Sequence, residues 1–399
     1  MIGSRRSARV PAAANKAASA TAFGARATLR RMRSAIRALA SLALAVSALL
    51  AGCTSEPTRT RTLRPEQVRA QIVALLPASV VDRPGWAVDI TAAFSALAIE
   101  PTTDHICAVL AVAEQESTYR ADPSVPRLGQ IAREEIDRRA DRAGIPRMLV
   151  QAALQLRSPD SRTYSERIDA ARTEKELSDV FEDFIASVPL GQRFLAGFNP
   201  VRTGGPMQVS VEFAARQVKS KPYPYRMTGS LRDEVFSRRG GLYFGIAHLL
   251  DYPAHYDQPV YRFADFNAGQ YASRNAAFQQ AVSIASGLPL EVDGDLVPGD
   301  GSVGRTEIAV RTLGERLGMG EGAIRKALEL ESRADLEQTT LYARTFELAE
   351  QAGRRPLPRA LLPRIQLHSP KITRPLTTEW FAHRVDERYK RCLARTASG

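Results

Sequence analysis

Residues 103–117 read Thr103-Asp104-His105-Ile106-Cys107-Ala108-Val109-Leu110-Ala111-Val112-Ala113-Glu114-Gln115-Glu116-Ser117, and this stretch decides the fold class. It opens on residues that cap helices, Thr103 and Asp104, continues as an unbroken apolar run, and ends polar. That is the outline of a buried helix. The same grammar extends outward in both directions. Upstream, Pro65 sits in a first turn ahead of Val68, Ile72, Leu75 and Leu76, and a second apolar helix fits Trp86 to Ile99. Downstream, amphipathic segments fit about 127–143, 147–156, 173–187, 207–218, 241–250, 270–286, 303–317, 321–331, 335–352 and 377–394. Runs of alternating β-branched residues are almost absent, so the sequence predicts an all-α protein.

The chain has 399 residues, 44% of them hydrophobic, enough to bury a substantial core. Its net charge of +12 would suggest a nucleic-acid or membrane partner if it were spread over the fold. It is concentrated instead. Residues 1–52 hold nine basic and no acidic residues, leaving 46 basic against 43 acidic in the remainder, a net of +3. Composition therefore gives no case for nucleic acid.

The same 52 residues have the parts of a secretory signal. Arg31, Arg33 and Arg37 precede an apolar run from Ala38 to Leu50, followed by Ala51, Gly52 and Cys53. The run is shorter than the roughly 20 residues of a spanning helix. Residues 1–31 read as an over-called start or a long basic leader, since a signal of ordinary length would begin at Met32. Leu50-Ala51-Gly52-Cys53 resembles the lipobox of bacterial lipoproteins, which implies acylation of Cys53 and a lipid-anchored place in the cell envelope. By resemblance to the sorting rules of Gram-negative lipoproteins, Thr54 rather than Asp after the cysteine implies the periplasmic face of the outer membrane. Cys107 and Cys392 remain as an even pair in an oxidising compartment, either bonded to each other or buried separately as thiols.

Three short segments carry candidate chemistry: Ala113-Glu114-Gln115-Glu116-Ser117, then Gly204-Gly205-Pro206-Met207-Gln208-Val209, then Phe266-Asn267-Ala268-Gly269. In this order they resemble the soluble lytic transglycosylase and goose-type lysozyme superfamily. Gly240-Gly241-Leu242-Tyr243-Phe244-Gly245-Ile246-Ala247-His248-Leu249-Leu250 resembles the glycine-faced helix that the superfamily packs behind its site. The likeness implies a lysozyme-like domain in which Glu116 is the single catalytic residue. By the same likeness Ser117, Met207, Gln208, Tyr243 and Asn267 support the site or contact the sugar, Tyr243 by stacking. Three departures stand out: Phe266 replaces a tyrosine whose hydroxyl approaches the acid, Pro206 replaces a leucine, and about 85 residues separate Ser117 from the Gly-Gly-Pro-Met-Gln turn where the superfamily often has a few tens. Across nearly the whole mature chain the sequence also resembles a proteobacterial lipoprotein family of unknown function, which implies no activity.

Helical geometry supports the role of Glu116. Val109 and Val112 lie seven and four residues before it and share its face, whereas Glu114 falls about 200° away and is expected to face water. Desolvation and the negative end of the helix dipole should raise the Glu116 pKa, as a general acid requires. One carboxyl suffices for a lytic transglycosylase, which closes a 1,6-anhydro ring in the muramoyl product. A hydrolytic lysozyme would need a partner roughly 5–9.5 Å away. Asp251 and Asp265 are the nearby candidates, each more naturally a surface residue or helix cap.

The expected function is cleavage of the bond between N-acetylmuramic acid and N-acetylglucosamine in peptidoglycan, with glycan strands as partner and no cofactor or metal. The alternative is a catalytically silent glycan-binding or scaffolding lipoprotein; protein partners are not legible. The domain reading is a signal region 1–52, a tether 53–63, a catalytic domain 64–291 containing an insert at about 122–203, and a C-terminal helical region 292–399. The boundary rests on Val292–Gly304, dense in Gly, Asp and Pro, whose spacing fails the calcium-loop pattern. Gly318-Met319-Gly320-Glu321-Gly322 reads as a helix–helix turn, and the five histidines show no metal-ligand spacing.

Overall fold

The apolar run at 103–117 is a helix, but its cap is one residue earlier than expected. Thr102 has extended backbone and its hydroxyl accepts from His105 N–H at 3.1 Å. A computed structural model describes residues 63–189, 193, 199–367 and 374–397; the signal-like segment, Cys53 and the tether to Thr62 lie outside them. The described residues are mostly helical, and the strands among them are only two residues long. This is the all-α class that the periodicity predicts.

The chain enters through α1 (Pro65–Leu75), α2 (Arg83–Leu97) and α3 (Thr103–Ser117). The insert follows as α4 (Leu128–Arg142), α5 (Arg147–Leu154), α6 (Tyr164–Ala170) and α7 (Glu174–Ser187). Capping boxes start α6 and α7, from Thr163 with Glu166 and from Thr173 with Glu176. A minimal antiparallel hairpin, β1 (Thr203–Gly204) and β2 (Val209–Ser210), then leads through α8 (Val211–Ser220) and α9 (Leu231–Phe236) to α10 (Arg238–Leu250). Next come α11 (Pro259–Ala268), α12 (Ala272–Ser286), α13 (Arg305–Arg311), α14 (Gly314–Leu317), α15 (Glu321–Leu328) and α16 (Thr340–Gly353). A second small hairpin, β3 (Gln366–Leu367) with β4 (Leu376–Thr377), precedes the last helix, α17 (Thr378–Ala397).

Three hydrophobic cores organise these elements. The first joins α1, α2, α3, the β1–β2 hairpin, α10 and α11 with the last helix, through Phe381, Val385, Tyr389 and Cys392. The second joins α12 to the helices between 305 and 353, and the third lies within the insert around Leu128, Tyr164, Ile168, Leu177 and Val180. The division at 291/292 therefore needs correction in two places: α12 packs with the C-terminal helices, while α17 returns to the N-terminal core. Contacts that bridge some 285 residues fix that return. Cys107 and Cys392 are joined by a disulfide with Cα atoms 5.5 Å apart, and Tyr389 Oη donates to Asp104 Oδ1 at 2.7 Å.

Candidate functional site

Glu116 sits in the last turn of α3, half-buried, above Val109 and Val112, both of which are fully buried in the first core. The apolar floor expected beneath it is present. Ser117 does not face a cleft: it is buried, its Oγ donates to the Ala113 carbonyl at 3.0 Å and accepts from Arg120 N–H at 3.2 Å. It secures the end of the helix that carries Glu116. Glu114 is not the solvent-facing residue expected, because α17 packs along that side. Its carboxylate pairs with Arg391 at 3.1 Å and Arg388 at 3.4 Å, and only 26% of the side chain is exposed.

The second segment forms the turn of the β1–β2 hairpin, which sits on the glycine face of α10. A Cβ on Gly241 would lie 2.5 Å from Pro206 Cδ, and one on Gly245 would lie 2.5 Å from Met207 Sδ. Only glycine permits this approach, and it explains why the α10 sequence carries Gly241 and Gly245 four residues apart, on one face. Met207 is fully buried there, so it is a packing residue and not part of a sugar-binding wall. Gln208 is half-buried; its Nε2 donates to the Gly205 carbonyl and its Oε1 accepts from Thr203 Oγ1, both at 3.3 Å.

Tyr243 also requires correction. It has no exposed surface, its hydroxyl donates to the Pro222 carbonyl at 3.4 Å, and its ring packs edge-on against Tyr223 and Phe244. A residue so enclosed cannot stack on a sugar.

The third segment ends α11. Asn267 is half-buried, and its Oδ1 accepts from Thr378 Oγ1 at 2.8 Å, at the start of α17. Phe266 is buried with its ring 5.1 Å from that of His248, and its carbonyl lies 3.2 Å from His248 Nε2. Of the two candidate partner carboxylates, Asp251 is held by Lys221 Nζ at 2.6 Å and Gln217. Asp265 is fully buried and accepts from Tyr252 Oη, Tyr256 Oη, Tyr271 N–H and Ser273 N–H. It caps the entry to α12, and burial raises its pKa although those donors pull the other way. Both carboxylates serve the scaffold.

The three segments share one neighbour, α10, and one core, to which Val109, Val112, Met207, Val209 and Phe266 all contribute. Each also ends in backbone that side chains rarely adopt. Thr118 and Tyr119 follow the first with φ of 52° and 59°, Gln208 closes the second at 50°, and Tyr271 follows the third at 68°. Such non-glycine residues cost of order 1–3 kcal/mol each and persist where surrounding packing over-determines them, often at functional sites. Tyr119 is held in this way, buried edge-on against Trp86 at 5.7 Å.

His248 escapes sequence reasoning, which sees only one polar residue in an apolar helix. Burial depresses its pKa to about 4, and Nε2 faces the Phe266 carbonyl. The neutral ring therefore carries its proton on Nε2, while Nδ1 is buried with no hydrogen-bond partner. Among the described residues no group of three or more His, Cys, Asp or Glu side chains is placed to hold a metal ion.

Residues 79–395 match the model of a family described as a protein of unknown function, DUF1615. The chain is similar to the uncharacterized protein YaiW of Escherichia coli strain K12, with 52% identity over 363 residues, covering 90% of this chain and 99% of that one. No solved structure matches.

Proposed function

We propose, for a chain that belongs to the DUF1615 family, the activity of a peptidoglycan lytic transglycosylase with Glu116 as its acid and base. The observation that supports this reading is the common assembly: the Glu116 helix end, the Gly-Gly-Pro-Met-Gln turn and the Phe-Asn-Ala-Gly segment pack around α10, each terminated by strained backbone. In this mechanism the Glu116 carboxyl donates its proton to the glycosidic oxygen as the bond from C1 of the muramoyl residue breaks. The resulting carboxylate takes the proton of the C6 hydroxyl, whose oxygen closes on C1. Acid and base are regenerated on one side chain, and no water is consumed. Asp251 and Asp265, engaged elsewhere, leave Glu116 without a second motif carboxylate for the hydrolytic route.

Purified sacculi test it. The wild type should release muropeptides ending in 1,6-anhydro-muramic acid, one water lighter than hydrolysed forms by mass spectrometry. Glu116→Gln should retain the fold and lose at least about 10²-fold in turnover, the scale of acid catalysis. Equal release by both proteins would remove Glu116 from the mechanism. Release by neither favours the second reading, a silent glycan-binding lipoprotein, to which Phe266, lacking a hydroxyl, and Asn267, engaged by Thr378, lend weight.

The envelope location is part of the same proposal and rests on Leu50-Ala51-Gly52-Cys53. Cys53→Ser should abolish incorporation of labelled palmitate; undiminished labelling would refute the anchor.

A further inference from the structure

Between Asp141 and Asp160 the insert changes character. Residues 142–159 hold Arg142, Arg147 and Arg157 and no acidic residue, with α5 in their midst as Arg147-Met148-Leu149-Val150-Gln151-Ala152-Ala153-Leu154. Gly144, with φ of 68°, turns the chain out of α4, and Pro146 sits at the N-cap of α5. At 100° per residue, six of the eight positions form one apolar arc from Met148 round to Leu154, which leaves Arg147 and Gln151 on the opposite side. A helix apolar over so wide an arc is normally enclosed. This one buries no residue fully: Val150, Ala153 and Leu154 turn half-buried toward α4 and α6, and the rest of the arc faces outward.

The uncovered part is a patch. Ile145, Met148, Leu149 and Leu156 are 41%, 77%, 60% and 53% exposed, and Ile145 and Leu149 also line the neighbouring apolar cavity of about 260 Å³, so patch and cavity form one continuous surface. Single apolar residues on a surface need no explanation, whereas a contiguous patch marks an interaction face. Its charge decides the partner. On α4 basic and acidic residues balance, with Glu135 facing Arg138, Arg139 and Arg142, so the excess comes from Arg147 and Arg157 at the two ends of α5. Arg147 is 65% exposed and pairs with Asp141 at 3.0 Å, while Arg157 donates to a neutral partner, the Ser161 carbonyl, at 2.7 Å.

We propose that α5 and its flanks are a docking face for an anionic phospholipid surface, with Ile145, Met148, Leu149 and Leu156 entering the acyl boundary and Arg142, Arg147 and Arg157 meeting the phosphates. An apolar helix face bracketed by arginines, whose aliphatic stems lie along apolar surface while their heads stay in the polar layer, is the pattern of an interfacial helix. The reach is sufficient. From Cys53 to Leu63 an extended chain spans about 35 Å, which keeps the fold beside a bilayer if Cys53 is acylated. The inference rests on the envelope location proposed above for the membrane that it meets.

Co-sedimentation with vesicles decides it, using the chain from Thr54 onward. All three cores and the disulfide lie within that chain, which lacks Cys53 and the basic leader that would itself attract anionic lipid. It should bind vesicles of phosphatidylglycerol mixed with phosphatidylcholine at least about ten-fold more tightly than phosphatidylcholine alone, and less tightly as salt rises. Met148→Asp combined with Leu149→Asp should weaken binding at least about ten-fold and leave circular dichroism unchanged, since both side chains are exposed. Val81→Asp, at an apolar residue 84% exposed outside the patch, should bind as the wild type does. Replacing Arg147 and Arg157 by glutamine should weaken binding about ten-fold or more. Failure to sediment with either vesicle, equal binding to both, or undiminished binding by the Met148→Asp, Leu149→Asp chain would overturn the proposal. So would a dimer in light scattering that the same double substitution abolishes, which would give the face to a second copy of the chain. Because Cys53 is absent from the test, failure here is distinct from failure of palmitate labelling.

Discussion

The first core and the insert are both helical, yet they are built to different tolerances. In the first core α3 buries every residue from Ile106 to Ala113, α10 buries nine of its thirteen residues, and a disulfide ties α3 to α17. In the insert α5 buries none of its residues, with Met148 77% and Leu149 60% exposed. Beside it lies an apolar cavity of about 260 Å³ lined by residues including Ile136, Leu154, Tyr164, Phe181 and Phe184, and the buried Tyr164 hydroxyl has no partner. The cavity opens to solvent, so its apolar lining lacks packing partners on one side. The contrast teaches where position matters. Left-handed backbone at Thr118, Tyr119 and Gln208 lies against the filled core, whereas the same conformation at Arg127 and Ser161 falls in the looser insert, so packing density rather than backbone strain separates the two regions.

The disulfide offers the strongest way to break this comparison. Replacing Cys107 and Cys392 by serine opens a cross-link spanning 285 residues and should cost about 2–4 kcal/mol, read as a fall in the thermal midpoint. Non-reducing peptide mapping must first find the Cys107–Cys392 peptide. Two free thiols in protein purified without reductant would deny that the first core is tied in this way.

Acid provides a sharper probe, because it addresses one residue of the first core. His248 is neutral when folded, with a pKa depressed to about 4, whereas an unfolded histidine titrates near 6.5. The unfolded chain therefore takes up the proton first as pH falls. The stabilisation from the neutral ring is complete above about 6.5 and is lost between there and about 4, by up to about 3 kcal/mol. His248→Phe should flatten that part of the stability–pH curve in urea unfolding at a series of pH values. An unchanged slope in the variant would show that the imidazole is not held neutral by burial.

The sequence revealed the two regions unequally. Long amphipathic helices were legible to within a few residues, because a 3.6-residue period needs only local information. Three helices, Tyr164–Ala170, Leu231–Phe236 and Pro259–Ala268, went unread; the first two, of seven and six residues, span fewer than two turns and so show no clear period. The return of α17 to the first core was illegible for a different reason: it rests on partners such as Asp104 and Tyr389, 285 residues apart. In the site, the residues whose roles needed correction are those whose face was undetermined. Tyr243 was read as a sugar platform, although Gly240 to Ala247 is small or apolar all round, the signature of a fully buried helix. Glu114 was placed in water because its own helix cannot disclose that Arg388 and Arg391 lie against it.

The smallest expected effect tests the loose side of the comparison. Leu149 lines the cavity yet is 60% exposed, so little apolar surface is lost when it is shortened. Surface substitutions of this kind usually fall within about 0.5 kcal/mol. Leu149→Ala should therefore leave the urea midpoint almost where it is, whereas Leu242→Ala, at a fully buried position of α10, should cost about 2–5 kcal/mol. The two substitutions remove the same atoms, so their difference isolates packing from chemistry. If Leu149→Ala proved as costly as Leu242→Ala, α5 would have to be clamped onto the insert as tightly as α10 is onto the first core. The distinction between a region built to hold geometry and one built with room to spare would then fail.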